Sequence, residues 1–355
     1  MNPLLQTTEI LDVPSIMPAA APPREWIKSY SPLELRGWKM PEGYVIAGDC
    51  HLVRGNITVI AGAPGIGKSR AAGALAVAGA TGKEWFGLPL YAKFKTYILQ
   101  GENPMTRLKA EYGGENADTL DRSIRISDTP PYGMAFQEAG FRGAFQQELA
   151  GFSPDVLILD PWNGIARDDG QRDYREALDT IRDAIPKDML PPAIVIVAHT
   201  RKPKGDDRRT GRSLLHEIAG SHLLASVPRC AFVMQAASDE PEDDRIVWSC
   251  AKNNDGELGS RTAWHRRNGL FTLCPDFDWK AFDATSTASR EQITESDLAT
   301  LFHNGTRHLK KSHAVKELEE QTKLGRTACY TALSHGGRFA GKLKEDADGL
   351  LSWEP

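Results

Sequence analysis

The sequence predicts an α/β fold built on a central, mostly parallel β-sheet, with a smaller module after it. Three observations carry this. Short, continuous apolar runs rich in β-branched residues recur along the chain, and helical stretches separate the first four, the pattern of strands buried on both faces. A glycine-rich turn joins the first of these strands to an alanine-rich helix. The composition, 41% hydrophobic and 25% charged over 355 residues, is ordinary for a globular chain and leaves room for one large domain and one small one.

In chain order, residues 1–24 are rich in proline and alanine without periodicity and are expected to form a disordered tail. An α/β domain is expected over 25–274. Its strands are "ITVIA" (57–61), "KTYILQ" (95–100), "DVLILD" (155–160), "AIVIVAH" (193–199), "CAFVMQ" (230–235) and "RIVWSCAK" (245–252). The acidic run "SDEPEDDR" (238–245) reads as the turn of an exposed hairpin. Residues 275–292 lose periodicity and read as a linker. Beyond them, "ESDLATLFHN", "HAVKELEEQT" and "GRTACYTALS" read as three short helices, and "GRFAGKLKEDADGLLSWEP" as a two-stranded wing. Residues 293–355 therefore predict a winged helix-turn-helix-like module, with Arg326, Thr327 and Tyr330 outward on its third helix. Such a module reads DNA or docks proteins, and both readings stand. There is no internal repeat.

The turn is "AGAPGIGKSR" (61–70), which fits G-x-x-x-x-G-K-S from Gly62 to Ser69. Between a strand and a helix, Gly62, Ala63, Pro64, Gly65, Ile66, Gly67, Lys68, Ser69 and Arg70 would wrap a phosphate chain with backbone N–H groups and a helix N-terminus. Lys68 would reach the β- and γ-phosphates, and the Ser69 hydroxyl would ligate Mg²⁺. ATP and Mg²⁺ are the expected ligands.

Other strand ends supply further candidates. Asp160 closes "VLILD", where a Walker B carboxylate would hold Mg²⁺. Glu102 follows "TYILQG" and would orient the attacking water if its strand neighbours the loop strand; otherwise it caps the helix begun by "ENPMTRL". His199 closes "AIVIVAH", in reach of a γ-phosphate.

The strings "YVIAGDCHLVRGNITVIAGAPGIGKS", "YILQGENPMTRL", "VLILDPWNGI", "IVIVAHTRK" and "IAGSHLLASVPR", in this order across about residues 40–260, resemble the RecA-like, AAA-type P-loop ATPases, and among them the RepA-type hexameric replicative helicases of plasmids. The resemblance implies a homohexamer with ATP between subunits, Glu102 as catalytic carboxylate and His199 as sensor. It also implies that Arg229 is an arginine finger entering a neighbour's site. Lys252 matches the lysine of a K-x-R/N-x-G signature, here with Asn254 at the third position. The C-terminal module departs from the plasmid helicases, which lack one. For Arg229 an ion pair within the subunit is the other reading.

Net charge bounds the partners. At −4, the chain carries no general nucleic-acid coat, so contact would come from a local patch. Arg201, Lys202, Lys204, Arg208, Arg209 and Arg212 cluster between residues 200 and 219, a loop that in a RecA-like ring would face single-stranded DNA in the channel; a solvated loop is the bland alternative. Five cysteines, odd in number and without C-x-x-C, indicate neither a disulfide framework nor zinc and read as reduced core thiols. No run reaches membrane-spanning length and no signal pattern opens the chain, so a cytoplasmic protein without membrane contact is expected. The expectation for function is an ATP-hydrolysing DNA motor, a hexameric helicase of a plasmid, phage or mobile element. The alternative is a nucleotide-switched DNA-binding regulator or helicase loader.

Overall fold

A computed structural model describes residues 28–114, 117–165, 171–201, 210–220, 222–238, 240–287, 293–322, 324–334 and 337–354. The expected tail at 1–24 lies outside them. Contacts divide the chain into two units, Met1–Glu42 and Gly43–Pro355. In the first, helix α1 (Pro32–Gly37) opens on a capping box, with the Ser31 hydroxyl accepting from the Glu34 amide and the Glu34 carboxylate accepting from the Ser31 amide.

The second unit begins with a strand pair, β1 (Val45–Ala47) and β2 (Leu52–Val53). Then come β3 (Ile57–Gly62), α2 (Lys68–Thr81), β4 (Thr96–Gln100), α3 (Met105–Tyr112), α4 (Ala117–Asp121), β5 (Ile124–Ile126), α5 (Ala139–Phe152), β6 (Val156–Asp160), α6 (Gln171–Asp183) and β7 (Ala193–His199). Helix α7 (Leu223–Ser226) leads into β8 (Cys230–Ala236), β9 (Arg245–Asn253), β10 (Thr262–Arg267) and β11 (Leu270–Leu273). Nine strands form one sheet in the order β11-β10-β9-β8-β3-β7-β6-β4-β5. It is parallel from β8 through β5, and antiparallel where β9, β10 and β11 extend it. This is the mostly parallel α/β core the apolar runs predicted.

Alternation along the strands builds two cores. Val59, Ala61, Leu157, Leu159, Ile194 and Ile196 point to one face, against Phe145 and Leu149 of α5 and Leu178 and Ile181 of α6. Ile60, Ile158, Val195 and Phe232 point to the other, against Ala71, Leu75 and Ala76 of α2. Small residues let α2 approach closely: a Cβ on Gly73 would run into the Tyr112 hydroxyl.

β5, β10 and β11 are strands the apolar runs did not announce. β5 is three residues long, and β10, "TAWHRR", mixes aromatic with charged side chains because it is only partly buried. A second correction concerns 275–292, expected to be an aperiodic linker. Helix α8 (Trp279–Thr287) forms there, and Phe277 and Phe282 are buried with Val247 and Ala263. Three aromatics in a stretch rich in Asp, Ser and Thr give too little period to be seen, yet suffice once β9 and β10 supply a surface to bury them.

Residues 293–354 pack round a core of their own, including Leu298, Phe302, Val315, Leu318, Cys329 and Trp353. Helices α9 (Glu295–Leu301), α10 (Lys311–Thr322) and α11 (Arg326–Ala332) accompany a three-stranded sheet, β12 (Leu309–Lys310), β14 (Leu350–Trp353) and β13 (Leu343–Glu345) in that order. Arg326, Thr327 and Tyr330 on α11 are exposed.

Candidate active site

The parallel strands end together. Gly62 pairs with His199 and Gln100 with Asp160, so the carboxyl edge of the sheet presents the loop after β3 beside the ends of β7, β6 and β4. Open α/β sheets place ligands along such an edge. The loop 62–69 curls there with Gly65 and Gly67 in the left-handed region, φ 76° and 106°. Gly67 caps α2, and a Cβ at this position would lie 2.9 Å from Arg266 Cδ. The left-handed backbone demands glycine, and Arg266 would have to shift to admit any side chain. The leading amides of α2, from Lys68 to Arg70, have no partner within the helix and open onto the loop, while the Ala71 amide donates to the Gly67 carbonyl at 2.9 Å.

Lys68 is 6% exposed, with its side chain folded back into the loop. Its ammonium donates to the Ala63 carbonyl at 2.9 Å and to His199 Nδ1 at 3.2 Å. An ammonium only donates, so Nδ1 accepts, and the proton of the neutral imidazole is on Nε2. Burial lowers the Lys68 pKa, while the carboxylates of Asp160 and Glu102 oppose the shift. The His199 pKa is also lowered, first by burial and then by the Lys68 charge. Asp160, 5% exposed, is shifted upward by burial, against the hydrogen bond from the Ser69 hydroxyl and the charge of Lys68. Ser69 and Asp160 thus bring two hard oxygen donors together, the chemistry Mg²⁺ takes alongside phosphate and water. Among the described residues, no group of three or more His, Cys, Asp or Glu is arranged to hold a metal. The serine and aspartate fit an ion that completes its shell with substrate oxygens.

Glu102 needs a correction of route. Its strand does not neighbour β3, because β7 and β6 intervene. It still joins the cluster, because the turn after β4 carries it toward Asp160, Lys68 and His199, each of which feels its charge. Helix α3 has Pro104 as N-cap and no side-chain cap, so Glu102 is not its cap. The turn is set by Gln100, a residue the sequence did not single out. Its Oε1 accepts from the Asn103 amide at 2.7 Å and the Glu102 amide at 3.2 Å. Its Nε2 donates to the Ser127 carbonyl and Thr129 Oγ1.

A second unsignalled residue is Arg266. It reaches from β10 across the loop and donates from Nη1 to the Gly65 carbonyl. The cationic run "HRR" at the end of a strand is its one trace in the sequence. Between α2 and the β10–β11 hairpin lies a cavity of about 520 Å³, lined by Arg70, Val77, Tyr112, Trp264 and Phe271 among others. Arg70 itself turns to Glu111 at 3.2 Å.

Two expected site residues lie elsewhere. The Arg229 amide donates to the Ile57 carbonyl, which places Arg229 at the amino edge of the sheet. That is the length of β3 from the loop, about 17 Å at 3.3 Å per residue. Its guanidinium binds both oxygens of Asp255 in its own chain. Lys252 lies on the same edge and donates to the carbonyls of Ala225 at 2.9 Å and Ser226 at 2.7 Å.

The basic loop leaves the carboxyl edge directly after His199. Its base is tied by Arg201 N to Glu217 O and Ala219 N to His199 O, and residues Gly211–Glu217 form a 3₁₀ helix. Arg201 and Arg212 are exposed, and Lys202, Lys204, Arg208 and Arg209 lie outside the described residues. No described helix is long and apolar enough to cross a membrane.

No curated protein matches this chain. Residues 35–205 match the family model of an AAA domain, and this match, with the phosphate loop at the carboxyl edge of a mostly parallel sheet, supports a nucleotide-hydrolysing ATPase of the AAA type.

Proposed function

We propose that the chain is an ATP-hydrolysing, Mg²⁺-dependent RecA-like DNA motor, a hexameric helicase of a plasmid, phage or mobile element. The observation that carries the reading is the convergence of Lys68, Ser69, Asp160, Glu102 and His199 at one edge, with the basic segment starting one residue beyond His199. Water attacks the γ-phosphorus in line. Glu102 orients that water, Lys68 leaves Ala63 and His199 for phosphate oxygens, and His199, freed of Lys68, reports the change to the loop behind it. Ser69 and Asp160 would hold Mg²⁺, which would supply charge neutralisation on the phosphate oxygens. The nucleobase would enter the cavity beside Trp264 and Phe271. Arg229 is too far from its own loop to act there, so any part it takes in hydrolysis requires a neighbouring copy.

Single-stranded DNA is the proposed partner of the 200–219 segment, through phosphate contacts that ignore sequence. The exposed face of α11 favours a second reading, in which the C-terminal module selects a duplex or a protein and nucleotide sets assembly of a regulator or loader. ATPase assays separate the two. Several-fold stimulation by single-stranded DNA of any sequence supports the motor; stimulation by one specific duplex and none by single strands refutes it. With Arg208, Arg209 and Arg212 changed to Ala, the salt slope of single-strand binding should fall by about 0.7 for each lost contact.

A further inference from the structure

The amino edge of the sheet holds a group of side chains that nucleotide chemistry does not use. Cys230 Sγ on β8 and Cys250 Sγ on β9 lie 3.9 Å apart. A bulge between Ala231 and Phe232 sets Phe232, not Cys230, opposite Cys250, and both cysteines turn to the α2 side of the sheet. Cys250 is partly exposed, whereas Cys230 is 1% exposed. A disulfide needs sulfurs about 2.05 Å apart, so the pair must close by roughly 2 Å.

His51 stands beside them, 3% exposed and stacked on Phe232 at 5.6 Å between ring centroids. Its Nε2 lies 3.2 Å from the Leu258 carbonyl. A carbonyl only accepts, so Nε2 carries the hydrogen and the Nδ1 lone pair is the free one. Nδ1 is buried and has no hydrogen-bond partner. Buried polar atoms are seldom left so, and an unpaired one asks for a role. The two thiols are also unequal. Cys250 is drawn down to about 6, by Cys230 first and by His51 as well, while burial pushes Cys230 well up.

We propose that Cys250 and Cys230 are a hydroperoxide-sensitive modification site, in which Cys250 is the attacking sulfur, Cys230 the resolving one and His51 the base. The Cys250 thiol donates to the Lys252 carbonyl at 3.2 Å, so its proton must turn from that carbonyl to His51 Nδ1, which takes it. The thiolate attacks one peroxide oxygen, the O–O bond breaks, and Cys250 becomes a sulfenic acid; the departing hydroxide recovers the proton from His51 and leaves as water. Cys230 sulfur then attacks Cys250 sulfur, the S–O bond breaks, and hydroxide leaves with the Cys230 proton as a second water. Two thiols lose two electrons and one hydrogen peroxide becomes two waters. The bond would clamp the start of β8 to the end of β9, next to Arg229 and Lys252.

The test is peptide mass spectrometry of the full chain after brief hydrogen peroxide treatment and thiol blocking. The expected product is a Cys230–Cys250 linked peptide pair, two hydrogens lighter than the reduced peptides and restored by dithiothreitol. In Cys230→Ser the sulfenic acid at Cys250 should accumulate and be trapped by dimedone; in Cys250→Ser both products should vanish. His51→Asn should slow the oxidation several-fold at neutral pH, with the rate recovering as pH rises. Cys250 remaining reduced, advancing to sulfinic acid with Cys230 untouched, or pairing with Cys50 or Cys274 would each overturn the proposal. The unsubstituted chain alone decides these, so a variant that fails to fold does not shield it.

Discussion

The two edges of the nine-stranded sheet treat their cations differently. At the carboxyl edge, Lys68 is buried between a loop carbonyl, an imidazole and two carboxylates, all of which face the curl of the phosphate loop. At the amino edge, Arg229 is half exposed and already occupied by Asp255, and Lys252 is held by two carbonyls at the end of α7. The first arrangement gathers its groups from one chain and points them all at one loop. The second is a set of local bonds that becomes part of a site only if another copy approaches. A cation at a strand end is therefore no guide to its role until its partners are known. The Arg229–Asp255 pair does not forbid a role in trans, because an ion pair this exposed is screened by solvent and readily exchanged.

Lys68→Ala should have the largest effect, abolishing hydrolysis and weakening ATP binding, read by phosphate release and by nucleotide titration. Retained turnover would erase the contrast between the edges. Glu102→Gln should keep ATP bound while lowering kcat by about 10²- to 10⁴-fold, the scale of a lost general base. Normal turnover in this variant would reduce Glu102 to a bystander.

The amino edge is probed by mixing inactive Arg229→Ala with inactive Lys68→Ala protein. If Arg229 completes a neighbour's site, mixed assemblies regain part of the activity; a finger supplied in trans is worth roughly 10³- to 10⁵-fold. Asp255→Ala should leave activity intact and barely move the denaturant midpoint, because the pair it breaks is exposed. Equal, small stability losses in both variants with unchanged ATPase would make the pair purely structural.

Asp160→Asn should separate stability from function. Asp160 has a folded pKa above its ordinary 3.8, so its carboxylate is a liability once pH exceeds that value, and relief is lost as pH rises through the folded pKa. The variant should melt higher than the parent at pH 7 and hydrolyse no ATP with Mg²⁺. The smallest expected effect belongs to His199. Its pKa is lowered on folding, so its contribution is present above the unfolded value near 6.5 and is lost as pH falls toward the lower folded value. Denaturation at pH 7.5 and pH 5.5 should show a larger loss for the parent than for His199→Gln. Equal losses would remove His199 from the buried cluster.

What could be read without coordinates was what is local. Gly62 to Ser69 is contiguous, and its pattern alone states where a strand must stop, a helix start and a phosphate sit. The strands ending in Asp160 and His199 were legible because parallel strands buried on both faces must be uniformly apolar, which makes the first polar residue conspicuous. Tertiary structure decided everything that depends on separated segments meeting. His199 touches Lys68 across 131 positions, and Arg266 covers Gly65 across 201. Gln100 looked like the polar end of a strand, yet its amide sets the Glu102 turn because β5 delivers Ser127 and Thr129 beside it. Arg229 and Lys68 both sit at strand or helix beginnings in the sequence. They fall on opposite edges because β8 runs parallel to β3, so a residue before β8 lies where β3 starts and the loop lies where β3 ends. Strand direction and order come from how two hydrophobic faces are covered, and no single stretch of sequence carries that.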